Sequence, residues 1–443
     1  MKLKVFLLGI VTAANFVSKI GSRSVIHFET FSAHPLGKRA DSTANTLSLD
    51  DSIKTLFAMA GKVQMGTPPQ EFQILFDTGS FQYWVRDGAC GGNSCAGLSM
   101  FKSEQSTTYR SIGKVESLVY TDGTSIRGPT GIDEVGVLGL ASKIAFIQAT
   151  EFNARYTEQD GIMGLGFPVY GEKTNLVAEL HAAKTIALPV FSYYIDSTEK
   201  KGGLTIGGVD TSKYAGNLLW VPLIGSVGSE TYATHWNVAL KSFAISNNGT
   251  FADSGYNIIF DSGTSLVIME KSLASQINTA LGLSVVQRAG TYGVLCPGGI
   301  IPAGPNITIA LETGNLILTP KEYFFIAVIG GLSVCVSGIQ GGDVGKTIIF
   351  GNVFLRRFYT VHDQGNFKIG FAVSNRNAAL PEQFVAQDST DPPVGSGQGS
   401  FELYPAGSNQ TASNLTLVRS AALPGQSLSM PIILLIIQAI FLI

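Results

Sequence analysis

The sequence predicts an all-β protein built from two related halves. Three observations carry that reading. Glycine is abundant, with 51 among 443 residues, and short runs rich in Val, Ile and Thr alternate with turn signals. Two segments are near-copies: Ile74-Leu75-Phe76-Asp77-Thr78-Gly79-Ser80 and Ile258-Ile259-Phe260-Asp261-Ser262-Gly263-Thr264, offset by 184 positions. Each is followed at a similar distance by an apolar segment ending in glycine. Gly164 lies 87 positions after Asp77, and Gly351 lies 90 after Asp261. Helical periodicity is scarce, and only residues 176–183 and 272–281 read as helices.

At the N-terminus, Lys2 and Lys4 precede an apolar stretch over residues 5–11, then Thr12-Ala13-Ala14. That is the pattern of a secretory signal, assigned to residues 1–18. Residues 19–39 read as a pro-segment ending at Lys38-Arg39, with cleavage after Arg39. The N-terminal lobe is expected over 40–217 and the C-terminal lobe over 218–376.

Residues 377–420 are rich in Ser, Thr, Pro and Gly and read as a flexible stalk. Arg419 is the last charged residue. Small residues Ser420-Ala421-Ala422, an uncharged spacer and an apolar tail over 431–443 follow. A spanning helix needs about 20 residues, and no basic anchor closes this tail. The pattern fits a glycosylphosphatidylinositol attachment signal, with Ser420 as the attachment residue and 421–443 removed. The expected location is the outer face of the plasma membrane, or the wall beyond it.

Four cysteines fit an oxidising compartment and allow three pairings. Cys90 and Cys95 enclose only four residues, so a local bridge forms easily, which leaves Cys296 with Cys335. Sequons at Asn248, Asn306, Asn409 and Asn414 agree with secretion. Net charge is −2 with 14% charged residues, and no basic block points to nucleic acid. The five histidines lack metal-ligand spacing, so neither a metal nor another cofactor is expected. A monomer is expected.

The repeated aspartates carry the chemistry. One carboxyl at the same place in each half implies a pair meeting on a pseudo-twofold axis. Such a pair activates water for peptide hydrolysis without a metal, acting on protein or peptide substrates. The tripeptide alone means little, since Asp253-Ser254-Gly255 also occurs, without the apolar lead or final hydroxyl, and reads as a surface turn. Gly79 and Gly263 let neighbouring backbone approach the carboxylates.

These segments and their surroundings resemble the pepsin-like aspartic proteases over residues 57–373. The resemblance rests on Val63-Gln64-Met65-Gly66-Thr67-Pro68-Pro69-Gln70-Glu71-Phe72 before the first Asp, and on Trp84 seven residues after it. Asp160-Gly161-Ile162-Met163-Gly164-Leu165-Gly166 and Gly207-Gly208-Val209-Asp210 add to it, as do Trp220-Val221-Pro222, residues 349–356 and Tyr359-Thr360-Val361-His362-Asp363. It implies a bilobal all-β fold with a deep cleft between lobes and Asp77 and Asp261 as the catalytic pair. It further implies that Thr78 and Ser262 brace the loops across the axis, and that Ser80 and Thr264 hold the outer carboxylate oxygens.

Residues 120–128 resemble the family's flap, with Tyr120 over the cleft and its hydroxyl meeting the Trp84 indole. Thr121 departs from the usual glycine. Asp122, beside Gly123, implies acceptance of Lys or Arg next to the scissile bond. Signal, dibasic site, stalk and tail together resemble the yapsin-like, lipid-anchored branch of fungi. The competing reading is an inactive binding or cell-wall protein on the same fold. Retention of Asp77, Asp261 and Tyr120 favours the enzyme.

Overall fold

The computed structural model describes residues 18–20, 23–32, 59–91, 95–120, 123–137, 140–153, 159–167, 175–196, 201–224, 235–286, 291–329 and 331–375. The signal core, Arg39, Thr121, Asp122, the stalk, Asn409, Asn414, Ser420 and the tail lie outside them.

Each half threads three strands in the same way. In the first, Gln70–Asp77 runs parallel to Gly161–Gly164, with Gly164 opposite Asp77, and Gly161–Gly164 pairs antiparallel with Tyr83–Arg86. In the second, Asn257–Phe260 runs parallel to Thr347–Phe350, with Phe260 opposite Phe350, and Thr347–Phe350 pairs antiparallel with Val267–Glu270. Strands covered on both faces need continuous apolar runs rather than alternation. Thr347–Phe350 and Gly161–Gly164 are buried at every position.

The terminal glycines are required by close approach. A Cβ on Gly164 would lie 2.4 Å from the Phe81 carbonyl carbon, and one on Gly351 2.3 Å from the Thr264 carbonyl oxygen.

Among the described residues a 15-stranded sheet joins the halves, with smaller sheets of five, four and four strands. Its shared part includes Val190–Asp196, Lys201–Ile206, Phe358–Asp363, Lys368–Ser374 and Tyr214–Pro222. The expected lobe boundary at 217/218 falls inside Tyr214–Pro222, which pairs with Lys368–Ser374 across a bulge. Residues on both sides of that expected boundary therefore belong to one strand.

Residues of the expected pro-segment enter the same sheet. Arg23–Ser32 pairs with Lys201–Ile206 on one side and with the start of Met59–Met65 on the other. Among the described residues the α-helices are Leu176–Ala182 and Lys271–Ala280, within a residue or so of the sequence expectation, with two single-turn helices at Pro320–Tyr323 and Asn352–Leu355. Asn175 caps the first by accepting from the Ala178 amide at 2.9 Å.

The core contains a fully buried aromatic group around Phe260, Phe350, Phe354 and Phe371. Trp236 ties it to the other half by donating to the Leu165 carbonyl at 3.0 Å.

Candidate active site

Asp77 ends the strand Gln70–Asp77, and Asp261 directly follows Asn257–Phe260. Their backbones are fixed by the threaded neighbours. The Leu165 amide donates to the Asp77 carbonyl at 2.7 Å, and the Asp261 amide donates to the Phe350 carbonyl at 3.0 Å. Both side chains are only 4% exposed.

The two loops repeat one hydrogen-bond pattern. The Gly79 amide donates to Asp77 Oδ1 at 2.8 Å, and the Gly263 amide to Asp261 Oδ1 at 2.8 Å. Ser80 Oγ donates to Asp77 Oδ2 at 2.5 Å, and Thr264 Oγ1 to Asp261 Oδ2 at 2.7 Å. Across the axis, Thr78 and Ser262 bond to each other's amide nitrogens.

The carboxyl groups face one another at close range. A Cβ on Gly79 would lie 2.2 Å from Asp261 Cγ, and one on Gly263 would lie 2.5 Å from Asp77 Oδ1. Sequence reasoning expected these glycines to admit neighbouring backbone. The carboxyl that each glycine's backbone approaches is the one on the opposite loop, which occupies the Cβ space.

Burial raises the Asp77 carboxyl well above the ordinary carboxylate range, and the charge of Asp261 raises it further. Hydrogen bonds from Ser80 and Gly79 act in the other direction. The balance keeps a proton in the site at pH values where an isolated carboxyl has lost its own.

Arg110–Val119 and Ser125–Val137 form a hairpin, with Val119 opposite Ser125. The Tyr120 amide donates to the Thr124 carbonyl at 2.7 Å, and the Gly123 amide to the Tyr120 carbonyl at 3.0 Å. Gly123 turns the chain at φ +84°, a value glycine adopts without strain. The Trp84 indole donates to the Tyr120 hydroxyl at 2.7 Å. Trp84 is fully buried, in a cluster with Leu75, Leu118, Ile126, Ile147 and Ile162 against which Tyr120 and Phe152 pack.

Cys90 is bonded to Cys95 and Cys296 to Cys335, with Cα separations of 6.2 and 5.6 Å. Asn248 is exposed, its side-chain amide donating to the Ala280 carbonyl, and Asn306 is half-buried. Asp253 is exposed and accepts from the Gly255 amide, a turn far from the pair in role. Among the described residues no cluster of His, Cys, Asp or Glu has metal-binding geometry, and no helix is long and apolar enough to cross a membrane.

Sequence reasoning gave no role to several residues that shape the site. Asn352 Nδ2 donates to the Ser262 carbonyl at 2.8 Å and so steadies the second loop. His235 lies near enough to Asp261 for that charge to oppose the lowering of its pKa by burial. Arg86 is buried two residues beyond Trp84. For Asn352 the signal was its place directly after the Gly351 strand. For Arg86 an arginine ending an apolar strand gave no signal of burial.

The eukaryotic aspartyl protease family model matches residues 58–374. Mouse cathepsin E is 34% identical over 328 residues, covering 70% of this chain and 79% of that protein. Cathepsin E-A of Xenopus laevis is 33% identical over 330 residues, covering 70% and 78%. Pepsin A of Rhinolophus ferrumequinum is 31% identical over 360 residues, covering 78% and 89%. The matched span contains both Asp loops, the hairpin and the shared sheet, and the chain belongs to the pepsin-like eukaryotic aspartyl proteases, an aspartic-type endopeptidase by family.

Proposed function

We propose that Asp77 and Asp261 are the catalytic pair of this endopeptidase and that residues 120–128 are its flap. The observation that carries the reading is the mutual approach of the two carboxyls, each filling the Cβ space of the other loop's glycine. Two carboxyls at this range do not both ionise cheaply, so the pair holds one proton. The ionised member takes a proton from a water lying between the Oδ1 atoms. The water oxygen bonds to the scissile carbonyl carbon as the protonated member donates to the carbonyl oxygen. The resulting gem-diol collapses when the protonated carboxyl gives its proton to the amide nitrogen, the ionised carboxyl takes a proton from a gem-diol hydroxyl, and the C–N bond breaks to give acid and amine, leaving one proton on the pair as at the start. Glycine amides and the Ser80 and Thr264 hydroxyls hold the carboxyls still throughout, and no covalent enzyme intermediate forms.

The finer reading is a zymogen, matured after Arg39 and tethered at the cell surface through Ser420, that prefers Lys or Arg beside the scissile bond. Asp122 in the flap supports the preference, because a carboxylate in a partly dry cleft pairs with a cation. The stalk and short apolar tail support the anchor. Pairing of Arg23–Ser32 with Lys201–Ile206 supports a pro-segment held by backbone hydrogen bonds.

The test uses chain secreted without its tail, a mixed peptide library, and pepstatin. Cleavage is expected to stop with pepstatin and in either Asp77→Asn or Asp261→Asn. Cleavage persisting in either variant would refute the shared-proton mechanism. Release of the full chain from cells by a phosphatidylinositol-specific phospholipase tests the anchor.

A further inference from the structure

Arg86 is fully buried, at 0% exposure, at the end of the strand Tyr83–Arg86 that carries Trp84. Its guanidinium carbon lies 4.2 Å from the centre of the Phe152 ring and 6.0 Å from that of Trp84. Its Nε donates to the Gln159 carbonyl at 3.4 Å, and its Nη1 reaches Cys95 Sγ at 3.7 Å. Asp160 supplies opposing negative charge, and its own carboxylate accepts from the Gln73 and Ser99 amides at 2.7 Å each.

Phe152 lies in the short strand Glu151–Asn153, which pairs with Ser125–Val137 so that Phe152 faces Ile126. That partner is the strand returning from the Tyr120 turn. The Phe152 ring also packs on Trp84, with centroids 5.5 Å apart. Arg86 therefore touches both sides of one hydrogen bond: Trp84 along its own strand, and the stem of the hairpin through Phe152.

A buried cation is costly, and an apolar side chain would fill the same space more cheaply. Unlike an apolar filler, a guanidinium fixes direction, because its plane stacks on a ring and its donors point at set acceptors. Burial lowers the Arg86 pKa to about 10, with Asp160 opposing, so the group stays charged at acidic and neutral pH.

We propose that Arg86 is a positioning residue for the flap: it orients Phe152 and Trp84 so that the indole meets the Tyr120 hydroxyl, and it links the Cys90–Cys95 loop to that contact. This rests on the reading of residues 120–128 as the flap.

The test is a double-mutant cycle on the full chain, reading kcat and KM with one peptide substrate. Arg86→Met is expected to lower kcat/KM about tenfold in the parent but less than about threefold in a Tyr120→Phe background, since both changes break one device. The loss should fall mainly on kcat, and Arg86→Lys should restore part of it by keeping the charge. The pH profile should not move, because the carboxyl pair is untouched. Equal fold losses in both backgrounds, or no loss, would overturn the proposal. Phe152→Leu, run through the same cycle, decides the matter if Arg86→Met does not fold. A Tyr120→Phe variant as active as the parent would overturn the flap reading and the Arg86 proposal together. An impaired Tyr120→Phe whose loss multiplies with that of Arg86→Met would overturn only the latter.

Discussion

Thr78 and Ser262 close a ring of four hydrogen bonds between the two halves. The Thr78 amide donates to Ser262 Oγ and the Ser262 amide to Thr78 Oγ1, both at 2.9 Å. Thr78 Oγ1 then donates to the Phe260 carbonyl at 2.9 Å, and Ser262 Oγ to the Phe76 carbonyl at 2.7 Å. Each hydroxyl accepts from the opposite loop and donates to the strand leading into it. Both residues are 1% exposed, so water cannot replace a lost partner.

Thr78→Val keeps the shape but removes one donor and one acceptor. The Ser262 amide and Phe260 carbonyl are left without those bonds, at roughly 1–3 kcal/mol each. Thermal unfolding should show the loss, and kcat should fall because the carboxyls lose their fixed separation. Thr78→Ser should retain both. A Thr78→Val enzyme with parental Tm and kcat would mean that the ring does not hold the loops.

The raised pKa of Asp77 has a stability consequence of definite sign. The folded state favours the protonated carboxyl, so the contribution is fully present below the ordinary carboxyl value of 3.8 and is lost as pH rises through the folded pKa. Asp77→Asn removes the ionisation while retaining a planar group of similar size. The variant should gain Tm over the parent at pH 7 and gain little at pH 3. An equal Tm difference at both pH values would show that ionisation of the pair does not strain the fold.

His362 works in the opposite direction. Its ring stacks on Phe191 with centroids 4.4 Å apart and meets Trp236 edge-on at 4.6 Å, and neither ring nitrogen has a hydrogen-bond partner among the described residues. Burial lowers its pKa from 6.5 to about 3. The unfolded chain takes up a proton below 6.5 that the folded chain refuses, so stability falls by roughly 1.4 kcal/mol per pH unit until the folded pKa is reached. His362→Phe should therefore raise Tm by an increasing margin as pH drops from 7 to 4. A margin independent of pH would place the effect in packing alone.

The parts of the site that repeat were legible in the sequence, because one local rule was written twice. Asp77 and Asp261, their hydroxyl neighbours and the Gly164 and Gly351 strands each have a counterpart, and each pair occupies matching positions. Tyr120 and Trp84 were legible through the resemblance, and they meet at 2.7 Å. Arg86 and Phe152 were not, because their relation depends on strands brought side by side from distant parts of the chain.

Asp122 sets the remaining prediction, on specificity. In sequence it falls between Tyr120, whose hydroxyl accepts from the Trp84 indole at 2.7 Å, and Gly123. A carboxylate there adds a charge-assisted hydrogen bond to a Lys or Arg side chain and adds nothing for Leu or Phe. Asp122→Ala should therefore lower kcat/KM for peptides with a basic residue at the cleavage site by about tenfold, leaving apolar-site peptides near the parental value. Raising the salt concentration should weaken the basic preference of the parent and not of the variant, because the attraction is screened where the cleft opens to solvent. Equal losses on both peptide classes would assign Asp122 to the turn itself, since Asp-Gly is a favoured hairpin pair in its own right.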